Sequence, residues 1–194
     1  PLEALDAWQG QHTDPPPGSG KKWAPERVLE TTGQGAVAWT PDGQGLVFAR
    51  SEIFQNWYAY HDLFWVDLQE QSILRLTEGG RCRQPDVSSG GDLMAYTVNQ
   101  AGRSVLAVAP AGPDPVPVIT HEVGTVGQVY SPRFSPDGTK VAYSAWMEGG
   151  LRDVQVLDVA TGEVHPITSD RFHDTGPAWD PSGRYLYFSS DRTG

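Results

Sequence analysis

The sequence predicts an all-β fold, a β-propeller of four-stranded antiparallel blades, present as an incomplete segment of about three and a half blades of a larger ring. Three observations carry this. Four stretches are near-copies of one another: "WTPDGQGLVFAR" (39–50), "VSSGGDLMAYTV" (87–98), "FSPDGTKVAYSA" (134–145) and "WDPSGRYLYFSS" (179–190). Their turn glycines, Gly43, Gly91, Gly138 and Gly183, follow at intervals of 48, 47 and 45 residues, the length of one blade. The apolar frame around each glycine is constant. Trp39, Val87, Phe134 and Trp179 stand four before it, and Phe48, Tyr96, Tyr143 and Phe188 five after it.

The chain opens differently. In "LEALDAW" Leu2, Leu5 and Trp8 share a helical face, and "QGQHTDPPPGSGKK" then has the composition of a tether. Residues 1–22 are therefore expected to be a linker or the end of an upstream domain, and 23–194 a partial propeller. "WAPERVLETTG" (23–33) reads as an outer strand with the turn after it. The repeat divides the remainder into units at about 34–79, 80–124, 125–171 and 172–194, the last incomplete.

Within a unit the turn chemistry is explicit. Pro136 presets φ, Asp137 tolerates the bridge region and Gly138 accepts a positive φ. Pro41, Asp42 and Gly43, and Pro181 and Gly183, hold the same structural places. The second unit has "SSGG" (88–91) there, a weaker turn in the same register. A second hairpin is marked by Gly102, Gly149 and Gly194, each eleven residues past its turn glycine. Third strands follow at 62–68, 104–110 and 153–159, and fourth strands at 72–77, 116–120 and 165–168, with Gly162 as a left-handed turn residue before the last. Blades stack face to face, so both faces should be apolar. An arc of such units would leave strand edges and blade faces bare, which points to further blades.

Composition narrows the function. Fourteen Lys and Arg against 24 Asp and Glu give a formal charge of −10. The densest basic stretches, "KKW" and "RCR" (81–83), are short, which excludes a charged footprint for nucleic acid or an anionic membrane. Cys82 is alone, so no internal disulfide forms and no cysteine–histidine set has zinc spacing. No apolar run is long enough to span a bilayer. The chain starts at Pro1 rather than Met and shows no signal peptide, which leaves room for a leader upstream.

At "PRFSPDGTKVAYSA…VLDVATGEVHPIT" the sequence resembles the WD40-like repeat of TolB-type β-propellers. That repeat also occurs in the propellers of tricorn-like and prolyl-oligopeptidase-like peptidases. The resemblance covers roughly 34–194 and speaks to fold more than to function. It implies a ring with a central channel in a periplasmic, cell-envelope or secreted protein. In TolB-type proteins the implied role is protein–protein interaction, and in the peptidases a gate beside a hydrolase.

The residues themselves supply no catalytic group, metal ligand or cofactor site. Asp42, Asp137 and Asp180 are explained by turn geometry. His12, His61, His121, His165 and His173 are scattered, with no metal-binding spacing. No Gly-x-Ser-x-Gly elbow and no phosphate loop occurs. The stretch worth a functional reading is "SEIFQNWYAYHDLFW" (51–65). Phe48 and Asp67 lie 19 residues apart, against 13 and 15 in the next two units. The surplus predicts a long aromatic loop carrying Phe54, Trp57, Tyr58, Tyr60 and His61, a binding element on a rigid scaffold. The alternative is that these rings pack on a neighbouring blade. The expected function is a non-catalytic scaffold for another protein, a peptide or a cell-wall component, with the rest of its own propeller as an internal partner. A gating or substrate-guiding propeller of a larger peptidase or hydrolase is the alternative, and a propeller polysaccharide lyase a third.

Overall fold

The computed structural model describes residues 36–147 and 149–192. The expected linker, the outer strand at 23–33 and the hairpin glycine Gly194 lie outside the described residues. The rest is all β, in four antiparallel sheets. The first holds β1 (Val37–Trp39), β2 (Gly45–Phe54), β3 (Tyr58–Asp67) and β4 (Ser72–Arg75), and the second β5 (Cys82–Val87), β6 (Leu93–Gln100), β7 (Arg103–Pro110) and β8 (Ile119–His121). In the third are β9 (Gln128–Phe134), β10 (Lys140–Trp146), β11 (Arg152–Asp158) and β12 (Val164–Pro166). The fourth pairs β13 (Asp174–Trp179) with β14 (Leu186–Ser190). Strands run in chain order across every sheet, the connectivity of a propeller blade. Among the described residues no helix is long and apolar enough to cross a membrane.

One side-chain device closes the first turn of all four sheets. The residue opening the turn, Thr40, Ser88, Ser135 or Asp180, accepts the N–H five positions on: Gly45 at 2.8 Å, Leu93 at 3.0 Å, Lys140 at 3.0 Å and Tyr185 at 2.7 Å. Gly43, Gly91, Gly138 and Gly183 all adopt a left-handed φ, between 67° and 74°, as their turns require. In "SPDG" the Ser135 hydroxyl donates to Asp137, and the Thr139 N–H and hydroxyl add to it. These bonds, the Ser135 one foremost, hold the Asp137 carboxyl down to about 2. The second unit keeps its turn without an acid inside it, because the Ser88 hydroxyl donates instead to Asp92, at 2.8 Å on the far side.

The sheets stack as a fan. β5 lies over β2 and β3, β9 over β6 and β7, and β13 over β10 and β11, while the first strands also touch one another in order. Sheet two therefore buries both faces. Met94, Tyr96, Ala107 and Ala109 meet Val47, Ala49 and Leu63 of the first sheet. Ala95, Leu106 and Val108 meet Val129, Val141 and Tyr143 of the third. On each face large residues of one strand stand beside alanines of its neighbour, which keeps sheets at contact distance without voids. For the same reason the polar residues of β11 are buried: Asp153 and Gln155 are each 8% exposed, and Gln155 accepts the Tyr143 hydroxyl at 2.8 Å.

Three details depart from expectation. In the third unit the left-handed glycine of the second hairpin is Gly150 (φ 80°), next to the expected Gly149, because the turn runs from Met147 to Leu151. The outer strands are also shorter than 72–77, 116–120 and 165–168. Leu76 and Ile167 still donate to Leu63 and Val154, but Thr77 and Thr168 then turn their hydroxyls to the Leu63 and Val154 N–H groups, which ends the ladder. Each of the last three inner strands also carries a bulge just before a proline. Gln84, Ser131 and Gly176 have φ of 52°, 51° and 63°, and the register shifts there. The N–H groups freed by two of these bulges cross to the preceding sheet: Ser131 donates to Gln84 Oε1 and Gly176 to Ser144 Oγ, both at 3.1 Å.

Candidate binding site

The long segment of the first unit is a paired ribbon, not a loop. β2 and β3 run ten residues each, and their ladder continues without a break from Gly45↔Asp67 to Phe54↔Tyr58. The surplus residues divide evenly between the two strands, so the pairing simply extends. Three residues close it: Gln55 and Asn56 have left-handed φ of 50° and 64°, and the Trp57 N–H donates to the Phe54 carbonyl.

Cross-strand pairing puts Phe54, Tyr58 and Tyr60 on one face of the ribbon. The Tyr58 and Tyr60 rings stack at 5.7 Å between centroids, and Phe54 meets Tyr60 at 5.5 Å. The Phe54 ring also lies against Gly79 of the connection to the second sheet. Phe54 and Tyr60 thus anchor the ribbon. The tip is bare: Trp57 is 89% exposed, Ile53 74% and Tyr58 54%. His61 lies on the opposite face, toward the second sheet.

Beside the ribbon opens a polar cleft of about 600 Å³ between β5, β6 and β9, lined by Arg81, Arg83, Gln84, Asn99, Gln128 and Tyr130 among others. Both arginines are held by ribbon residues. An Arg81 guanidinium N–H donates to the Tyr60 hydroxyl at 2.6 Å, with the guanidinium 4.3 Å from that ring. Arg83 lies 3.0 Å from His61 Nδ1. Burial, then the Arg83 charge, pushes the His61 pKa down, so the imidazole is neutral at pH 7 and its Nδ1 accepts. As sequence, "RCR" is only a short basic stretch. Arg81 precedes β5 with a left-handed φ of 53°, so strand alternation about Cys82 could not show that both arginines line one cleft.

One buried carboxylate and one carboxylate cluster stand apart from this cleft. Asp62 is fully buried and accepts from Arg75 at 2.6 Å, Gly80 N at 2.7 Å, Gly79 N at 3.0 Å and the Thr77 hydroxyl at 3.1 Å. Asp153, Asp170 and Asp174 bring oxygens within 4.8 Å of one another, a set able to ligate a metal ion. The Arg192 guanidinium already supplies positive charge there, bonding Asp170 and Asp174 at 2.9 Å. The histidines do not converge. His121 lies beside the Tyr143 ring, His165 beside Glu163, and the His173 N–H donates to Asp191, while His12 is outside the described residues. Asp42, Asp137 and Asp180 are engaged within their own turns.

Comparison with known proteins follows the same lines. The chain is 32% identical over 78 residues to the Tol-Pal system protein TolB of Alcanivorax borkumensis, a stretch that is 38% of this chain and 18% of that protein. It is 30% identical over 82 residues to an uncharacterised peptidase, YuxL, of Bacillus subtilis, 40% of this chain and 12% of that one. The matches therefore span less than a fifth of either curated relative. Among solved structures, TolB from Acinetobacter baumannii superposes with a TM-score of 0.64 at 21% identity, over 83% of this chain and 39% of that one. That likeness bears out the all-β partial propeller. Residues 84–194, more than half of the chain, match the family model of the TolB β-propeller domain, and the chain belongs to that family.

Proposed function

We propose that this chain is a non-catalytic propeller scaffold that captures another protein or a peptide on the face carrying the β2–β3 ribbon, in a bacterial envelope or secreted protein. The observation that carries the reading is the bare ribbon tip. Trp57 and Ile53 project into solvent from a ladder that Phe54 and Tyr60 pin to the next connection. A rigid aromatic anchor loses little conformational freedom on binding, which is why such residues concentrate binding energy. The family membership and the TolB relative support an envelope setting. The expected linker at 1–22 fits a propeller that follows another domain.

Selection of twelve-residue peptides from a phage-displayed library on the 194-residue chain tests the reading. Selected peptides should bind the wild type and lose about tenfold or more in affinity to a Trp57→Ala plus Tyr58→Ala chain. Unchanged affinity in the double variant would remove the ribbon from the site. The match to YuxL favours a second reading, a gating propeller of a larger peptidase. A hydrolase domain in the same polypeptide, shown by the sequence flanking this chain, would decide for it.

A further inference from the structure

We infer that the cleft beside the ribbon is a carboxylate-binding site, and that the peptide captured on this face carries an acidic group read jointly by Arg81 and Arg83. The inference rests on the scaffold reading and names the chemistry of its ligand.

The charge pattern points there. In a chain with a formal charge of −10, Arg75 meets Asp62, Arg103 meets Glu122 and Arg192 meets Asp174, while Arg152, Arg171 and Arg184, which meet aromatic rings and no acid among the described residues, stand apart from one another along the chain. Arg81 and Arg83 have no acidic partner among the described residues. Neutral groups hold them instead, the Tyr60 hydroxyl and ring for one and the His61 imidazole for the other. A guanidinium fixed by neutral acceptors is oriented without being neutralised, so its charge is available to a ligand. Backbone geometry reinforces this. Both arginines line the one cleft, and Arg81, just before β5, takes a left-handed φ of 53° that a non-glycine residue adopts only at a cost.

The surroundings suit a peptide. Gln84, Asn99 and Gln128 line the cleft with amides, which can match the N–H and C=O groups flanking an acidic residue. A sugar ring would instead need a free aromatic face inside the cleft, and the aromatic residue lining it, Tyr130, already carries the Arg152 guanidinium 4.9 Å from its ring. The carboxylate could belong to an Asp or Glu side chain or to a peptide C-terminus.

Fluorescence anisotropy with the full chain distinguishes these. The probes are fluorescein-labelled twelve-residue peptides: alternating Glu and Ala with an amidated end, alternating Gln and Ala amidated, and the latter with a free C-terminus. At least one carboxylate probe should bind about tenfold tighter than the amidated Gln/Ala peptide, with the advantage shrinking as salt is raised. The Glu/Ala probe reports a side-chain carboxylate and the free-ended probe a terminal one. Arg81→Gln plus Arg83→Gln should abolish the advantage with the thermal midpoint unchanged, while Arg81→Lys plus Arg83→Lys should retain part of it. Equal binding of all three peptides, with sensitivity only to Trp57→Ala, would overturn the carboxylate site and leave the scaffold reading standing. Binding of polygalacturonate without any peptide would overturn the peptide assignment. Binding of no probe, or unchanged affinity in the double Gln variant, would overturn the site.

Discussion

The Phe54 ring sits where a side chain on Gly79 would have to be: a Cβ there would meet the ring carbons at 2.7 Å. The exposed ribbon tip is therefore anchored by the absence of a side chain in the connection to the next sheet. Gly79 also has a left-handed φ of 65°, so two requirements meet at one residue.

Gly79→Ala and Gly43→Ala separate these requirements. Gly43 has φ 67° and nothing within 4 Å of a Cβ, so its substitution should cost only the backbone term, about 1 kcal/mol. Gly79→Ala should cost about 2–3 kcal/mol, because the ring must also move. Chemical denaturation of the two variants reads the difference. Equal losses would mean that Phe54 does not depend on Gly79.

Asp62 is the buried acceptor that ties β3 to the connection after β4. Asp62→Ala strands the Gly79 and Gly80 N–H groups and the Arg75 guanidinium, and should destabilise the chain by about 3 kcal/mol. A urea midpoint within error of wild type would show these groups re-solvated without cost.

Burial pushes the Cys82 thiol up to about 12 from its ordinary 9.0. A folded-state value above the unfolded one favours the protonated form. This group's contribution is therefore complete below about pH 9 and is lost as pH rises toward 12. The native chain should not react with a disulfide reagent at pH 8 until denaturant is added. Cys82→Ala should flatten the alkaline fall in stability.

Asp174 shows the opposite sign. Burial raises its pKa, but hydrogen bonds from Ser190, Thr168 and Arg192 outweigh this and hold it below the usual carboxylate value. Its contribution is present above the unfolded value and is lost as pH falls. Arg192→Ala removes both ion pairs on this cluster and should move the acid-unfolding midpoint to higher pH. An unmoved midpoint would show Arg192 to be solvated rather than structural.

The blades were legible because turn chemistry is local. A Pro, an acid and a glycine at fixed offsets specify one reversal, and repetition at a blade's length specifies the stack. Tyr96 and Tyr143, picked out only by their distance from a glycine, are among the largest fully buried side chains. The ribbon was legible as surplus length but not as paired strand, since its three-residue loop, Gln55, Asn56 and Trp57, lacks the glycine that usually announces a tight hairpin. Arg81 and Arg83 escaped notice because their partners, Tyr60 and His61, lie more than twenty residues back and meet them only once two sheets stack.

The bulges at Gln84, Ser131 and Gly176 have one more effect. Among the described residues every inner strand is the rim of its sheet, with one side of its backbone unmatched by a neighbouring strand, and such rims recruit foreign strands. Pro85, Pro132 and Pro177 remove a donor from three of these rims, and the adjoining kink spoils the straight line that a guest strand needs. β1 has Val37 at the matching place, an exposed residue with an N–H where the other three have proline, so among the described inner strands β1 is the one without this protection.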